Sequence, residues 1–200
     1  MILVLTTYRS GSTSFCKQLA EQHNYENLDE PFHEGLSKTY VQNNPQYGDN
    51  THMPNIHKDT LRYITKNTNC VVKLMPFHNA NSDIENLIDI LIGMAEKIYI
   101  LVRKDFDQQC QSYYICKRLG GGWHDQWEDK VDVTLDKDKW LWCVNFLHNE
   151  YCELQTWKEK IPNCELMFTH QLNQKDKYQR PVRWDKAPGF TNIDIEELFD

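Results

Sequence analysis

The sequence predicts a single α/β domain, three layers deep, with a mainly parallel central sheet of four to five strands flanked by helices. Two observations lead there: short apolar, β-branched runs recur along the 200-residue chain, and stretches of helical periodicity lie between them. Strands that alternate with helices pair in parallel, and right-handed crossovers put the helices on both faces. Composition is the third observation. Hydrophobic residues make up 40% of the chain, enough for one core, and 12% aromatic and 26% charged residues belong to a globular protein.

The first strand is Ile2–Thr6, nearly continuous in apolar residues, as expected of a strand covered on both faces. A helix over about 12–22 follows, with Phe15, Cys16 and Leu19 inward. A weaker strand is placed near 25–28 and a strong one at 70–75. The clearest helix is 84–96, where Ile84, Leu87, Ile88, Leu91 and Ala95 share one face. Ser82 and Glu85 form a capping box before it, worth ~1 kcal/mol. A strand at 97–102 leads to a helix at 107–118, with Asp105 as its N-cap and Gly120, Gly121 and Gly122 as its stop. A long helix over 138–160 carries the stripe Trp140, Val144, Leu147, Tyr151, Leu154 and Trp157, and Pro162 ends it. A strand at 164–169 completes the set.

Two stretches, 41–57 and 120–138, have loop composition and are candidate lids; Tyr47, Trp123 and Trp127 within them could stack on an acceptor. No internal repeat or low-complexity tail is present. The net charge of −7 argues against a nucleic-acid partner, so any anion must meet a local pocket of donors. Seven cysteines, an odd number with no Cys-x-x-Cys pair, fit reduced thiols in a cytoplasm better than a disulfide frame or a zinc site. The apolar start at Ile2–Leu5 is too short for a signal peptide or a membrane span, which also points to a cytoplasmic protein with no membrane partner.

In a parallel sheet, ligands gather beyond the carboxyl ends of the strands. That rule selects 6–14, 76–81 and 103–107. The first is the most informative: Thr7-Tyr8-Arg9-Ser10-Gly11-Ser12-Thr13-Ser14 leaves a buried strand and opens a helix. Backbone N–H groups at a helix start are unpaired and partly positive, which makes a preformed anion site. Gly11 permits close approach, the Ser and Thr hydroxyls donate, and Arg9 can contact two oxygens at once. The same Ser and Thr residues also suit plain helix capping. The Gly-Lys-Ser/Thr ending of a Walker A loop is absent.

The segment from Thr7 to Thr13 resembles the 5′-phosphosulfate loop of sulfotransferases that use 3′-phosphoadenosine-5′-phosphosulfate (PAPS). The Arg-Ser-Gly-Ser form is similar to that of the carbohydrate and bacterial trehalose types. A second segment, Ile98 to Asp105 leading to Ser112, resembles the family's 3′-phosphate motif of a strand-end Arg and a helical Ser. Lys104 to Ser112 has the usual spacing, whereas Arg103 is directly at the strand end, so both are candidates to hold the phosphate. Arg103 is favoured. Asp29-Glu30-Pro31-Phe32-His33 and Val72-Lys73-Leu74-Met75 resemble two further segments of the carbohydrate enzymes. The likeness runs from Ile2 to Tyr114. Beyond it, 178–192 falls where a cofactor-covering loop is often found, with Arg180 and Arg183 as basic residues.

The resemblance implies a P-loop-like fold and transfer of a sulfuryl group from PAPS to a hydroxyl group of a small-molecule or carbohydrate acceptor. The product 3′,5′-bisphosphate (PAP) is released, and no metal is expected. Thr7, Tyr8, Arg9, Ser10, Gly11, Ser12, Thr13, Ser14, Arg103, Lys104 and Ser112 are the expected donor-binding residues, and Arg9 would also stabilise charge on the leaving phosphate. Three residues are candidates for the base: Glu30, as in the trehalose type; His78, near the base of the cytosolic enzymes; and His33. A P-loop-type small-molecule kinase, a non-catalytic PAP- or PAPS-binding protein, and a plain structural domain are the competing readings.

Overall fold

The computed structural model describes residues 1–33, 56–118, 135–169 and 195–199. Their strands are β1 (Ile2–Thr6), β2 (Glu26–Asp29), β3 (Cys70–Leu74), β4 (Lys97–Arg103) and β5 (Glu165–Thr169). The helices are α1 (Ser12–His23), α2 (Ile56–Lys66), α3 (Pro76–Ala80), α4 (Leu87–Met94), α5 (Phe106–Arg118), α6 (Lys137–Lys160) and α7 (Ile195–Phe199). The five strands form one sheet in the order β2-β3-β1-β4-β5, with every pairing parallel.

β1 is the central strand, and all five of its residues are buried. Its side chains alternate between the two faces. Leu3 and Leu5 join the larger core with Val72, Leu74, Ile100 and Val102. Ile2 and Val4 join the smaller core under α1 with Cys16, Leu19, Val71 and Leu101. A period of two buried on both sides is why the run has no polar gap. The six apolar stripe residues of α6 all enter the larger core, and each contributes roughly 1.5–3 kcal/mol by leaving water.

The chain leaves β1 in opposite directions. It builds β2 and β3 on one side, then β4 and β5 on the other. The strand order therefore reverses at β1, and the loops after β1, β3 and β4 leave the same end of the sheet, the end where such folds bind ligands.

Some boundaries differ from the sequence expectation. The helix expected at 84–96 is only Leu87–Met94. Asn86 takes a left-handed conformation (φ 56°), and the Ser82 hydroxyl accepts from the Ile84 N–H to close a turn, so the capping box caps no helix. The first turn is anchored instead by Asn79, whose Oδ1 accepts from the Ile88 N–H at 3.1 Å. Residues 56–57, expected in a loop, begin the unforeseen helix α2, and 137–138 already belong to α6. Leu135 and Asp136 of the second expected lid precede α6, with Asp136 as its N-cap, and residues 41–55, 120–134 and 178–192, which include Tyr47, Gly120, Gly121, Gly122, Trp123, Trp127, Arg180 and Arg183, lie outside the described residues.

Candidate active site

The loop between β1 and α1 is held in a conformation that sequence alone would not choose. Arg9 (φ 62°) and Gly11 (φ 86°) are both left-handed and flank Ser10. Arg9 has a Cβ, so its conformation is strained and must be imposed by its surroundings. Alternating backbone hands of this kind turn successive N–H groups to one side and form an anion nest. Gly11 is the N-cap of α1, and no side chain caps the helix. The Ser and Thr residues are thus not spent on capping, and the helix start keeps its positive end.

Two residues hold the loop: Gln109, which the sequence reading did not mark, and Tyr151, read there only as part of the apolar stripe. Gln109 on α5 donates from Nε2 to the Thr7 hydroxyl at 2.7 Å and to the Tyr8 carbonyl at 2.5 Å. The buried Tyr151 hydroxyl donates to Gln109 Oε1 at 2.5 Å and accepts from the Arg103 N–H at 3.1 Å. Thr7 and Ser10 are buried, and the Ser10 hydroxyl meets Thr6 Oγ1 at 2.7 Å. The Ser10 carbonyl accepts from Thr169 on β5. Thr7 and Ser10 therefore brace the loop through their side chains and can serve an anion only through their N–H groups.

The two expected phosphate motifs converge. Arg9 Nε donates to Ser112 Oγ at 3.0 Å. Arg103 donates from one guanidinium nitrogen to the Arg9 carbonyl at 3.0 Å and from the other to Gln108 Oε1 at 2.9 Å. Lys104 is exposed at the start of the turn to α5. Asp105 caps that helix, accepting from the Gln108 N–H at 2.8 Å.

On the other side of β1, the three candidate bases form one cluster. Glu30, His33 and His78 each present a donor atom, all within 4.8 Å of one another. Glu30 and His78 are buried; His33 is half-buried. Asp29 is left-handed (φ 52°), a kink that ends β2 and turns Glu30 under the sheet edge. His78 Nε2 lies 3.0 Å from the Tyr8 hydroxyl and 3.8 Å from Glu30 Oε2. Burial first, then the charges of His33 and Lys73, push the His78 pKa down to about 3, so its ring is neutral at pH 7.

Lys73, on β3, links the cluster to the loop. Its buried Nζ contacts Asp29 Oδ1 and Glu30 Oε1, both at 2.7 Å, and donates to Thr13 Oγ1 at 3.1 Å. Burial lowers the lysine pKa, but Glu30 and Asp29 overcome it and hold the group charged. Replacing Lys73 by Met leaves two carboxylates unpaired. The expected cost is roughly 3–5 kcal/mol of stability, read from urea unfolding. A loss below 1 kcal/mol would show that the pairs contribute little.

A wall of rings borders the cluster. Tyr8 lies 5.7 Å from His78, 5.6 Å from Tyr113 and 5.9 Å from Phe146, centroid to centroid. Tyr113, Phe146 and Trp142 stack on one another. Phe77 and Trp142 are large apolar side chains left exposed. The sequence signal was present: Trp142, Phe146 and Glu150 repeat every four residues on α6, beside the main stripe.

Glu150 ends this second stripe. Burial pushes its pKa up to about 7, and its Oε2 has no hydrogen-bond partner among the described residues. The folded chain keeps this proton up to about pH 7, whereas the unfolded chain releases it near 4.5. The stability it supports is complete below pH 4.5 and is lost as pH rises through 7. Glu150→Gln should therefore raise the melting temperature at pH 8 and change it little at pH 4. Equal shifts at both pH values would contradict this.

No helix among the described residues is long and apolar enough to cross a membrane. No protein-family model matches the chain, and no curated protein sequence matches it. Among solved structures, the shikimate kinase from Bacteroides thetaiotaomicron, a 1.7 Å crystal structure, is similar over 90% of this chain and 91% of its own, with a TM-score of 0.47 and 11% identity. Nothing about activity follows from a likeness of that extent.

Proposed function

We propose that the chain is a sulfotransferase that moves a sulfuryl group from PAPS to a hydroxyl acceptor. The observation that carries this reading is the 3.0 Å contact of Arg9 with Ser112, backed by Arg103 on the Arg9 carbonyl. It brings the loop suited to a phosphosulfate beside the motif suited to a 3′-phosphate, which supports one nucleotide with phosphates at both ends reaching across the two. The 5′-phosphosulfate lies over the N–H groups of 9–14. Arg103 and Ser112 take the 3′-phosphate, and the Ser12, Thr13 and Ser14 hydroxyls complete the cradle.

The acceptor oxygen attacks sulfur in line, its proton passes to Glu30, and the sulfur–oxygen bond to the 5′-phosphate breaks. Arg9 stabilises the charge that collects on the departing PAP. Glu30 is the best-placed base of the three. Lys73 holds its Oε1, leaving Oε2 toward the cluster. Neutral His78 orients Tyr8 and the acceptor rather than taking the proton for good. The ring wall from Tyr8 to Trp142 receives the acceptor's apolar face.

A kinase acting on a small hydroxyl compound shares the loop and the fold. It needs magnesium, held by oxygen ligands beside the phosphates. The strands flanking β1 carry the cations Lys73 and Arg103 near their carboxyl ends instead. The deciding experiment incubates the protein with PAPS and a panel of hydroxyl acceptors in chelator, following PAP release. Acceptor-dependent release is expected. Transfer from ATP with magnesium, and none from PAPS, would replace this reading with the kinase. Tight PAP binding without transfer to any acceptor would leave a binding protein.

A further inference from the structure

We propose that Glu30, His33 and His78 also form a binding site for a divalent transition ion of the zinc type, and that the bound ion blocks the base. Two imidazoles and one carboxylate are a donor set that suits zinc and its neighbours rather than magnesium or calcium, which take oxygen ligands. Their donor atoms lie within 4.8 Å of one another. Ligands about 2.1 Å from one ion are at most roughly 4.2 Å apart, so small side-chain rotations close the set.

An independent observation points the same way. His78 is 3% exposed, yet among the described residues its Nδ1 has no hydrogen-bond partner, and neither does the buried Nδ1 of His33. Buried polar nitrogens normally find partners, and an orphan of this kind is satisfied by an ion or an ordered water. The outer contacts that orient metal ligands are also in place. The Tyr8 hydroxyl holds His78 Nε2, which leaves Nδ1 for the ion, and Lys73 holds Glu30 Oε1, which leaves Oε2, 3.8 Å from His78 Nε2, to turn toward it. The local charge permits a dication: Asp29 and Glu30 outnumber Lys73. Three protein ligands leave a position open to water.

The blocking half of the proposal rests on the sulfotransferase reading, because an ion on Glu30 Oε2 occupies the oxygen meant for the acceptor proton and lowers its basicity. The site itself does not depend on it. The test has two arms on the full chain. In the first, zinc is titrated calorimetrically into metal-free protein without donor or acceptor, and cobalt is added to follow its visible d–d bands. One equivalent is expected to bind. His33→Asn and His78→Asn should each weaken binding by more than about 100-fold, beyond what the loss of an outer contact costs. The half-buried His33 is the gentler change, and unaltered melting shows that the fold survives. Zinc that stays bound at full affinity in both variants sits on thiols, such as Cys152 beside His148, and overturns the site. In the second arm, PAP release is measured in chelator and with added zinc. Inhibition that disappears in His33→Asn supports the block. Undiminished turnover with zinc bound overturns the block alone, and absence of turnover in chelator counts against the sulfotransferase reading alone.

Discussion

Arg9→Ala should lower turnover with PAPS by about 100-fold or more, the cost of removing a fixed positive group from the point where charge develops. Arg9 is the only loop residue that is at once cationic, left-handed and in contact with the second phosphate motif. Its backbone strain is imposed by Arg103 on its carbonyl and by Gln109 on the neighbouring Tyr8 carbonyl. The loss should appear in kcat more than in KM, because the leaving phosphate gains its charge only as the bond to sulfur breaks. Arg9→Lys should recover part of the rate, since it keeps the charge but not the fork geometry. Steady-state kinetics with saturating acceptor decide this. Full turnover in Arg9→Ala would remove Arg9 from the chemistry.

Glu30→Gln should cost about 100- to 10,000-fold in single-turnover rate, the span of a general base, while PAP affinity stays within a few-fold. The amide keeps the volume beside His78 and Lys73 but cannot accept a proton. His33→Asn and His78→Asn should cost less, because Glu30 retains its place on Lys73 in both. His78 is neutral throughout the working range, its pKa being pushed down to about 3 by burial and by neighbouring His33 and Lys73. Its protonation should therefore leave no inflection in the rate between pH 5 and 8. If His78→Asn proves the most damaging of the three, the base assignment moves to the histidine.

The strands were legible because their signal is local. β1, β3 and β4 are short apolar runs buried on both faces, whereas β5, expected to be the same, is an edge strand with Glu165 and Met167 exposed; the observed limits of all four fall within a residue of those read from the pattern. The long helix α6 and the Asp105 cap were legible for the same reason: a stripe and a cap lie within a few residues of each other. The start of α4 was misread because two local signals competed, and Ser82 spends its hydroxyl on a turn while Asn86 breaks the helical path. Helix α2 was missed because the Asn- and Pro-rich stretch before it dominated the reading.

At the site, the loop and the three candidate bases were visible as residue types, but their meeting was not. Lys73 looked like one polar residue in a strand. Its partners Asp29, Glu30 and Thr13 are 43 to 60 positions away, and only the β2-β3-β1 order brings them together. Gln109 and Tyr151 are likewise joined by packing of α5 on α6 rather than by spacing.

The proposed sulfuryl transfer requires the turn after β1 to accept a nucleotide phosphosulfate. Calorimetric titration of PAP into the protein, in chelator, tests it most directly. Saturable binding at one equivalent, weakened in Arg103→Ala, is the predicted result. No binding of PAP alongside saturable binding of ATP with magnesium would contradict it.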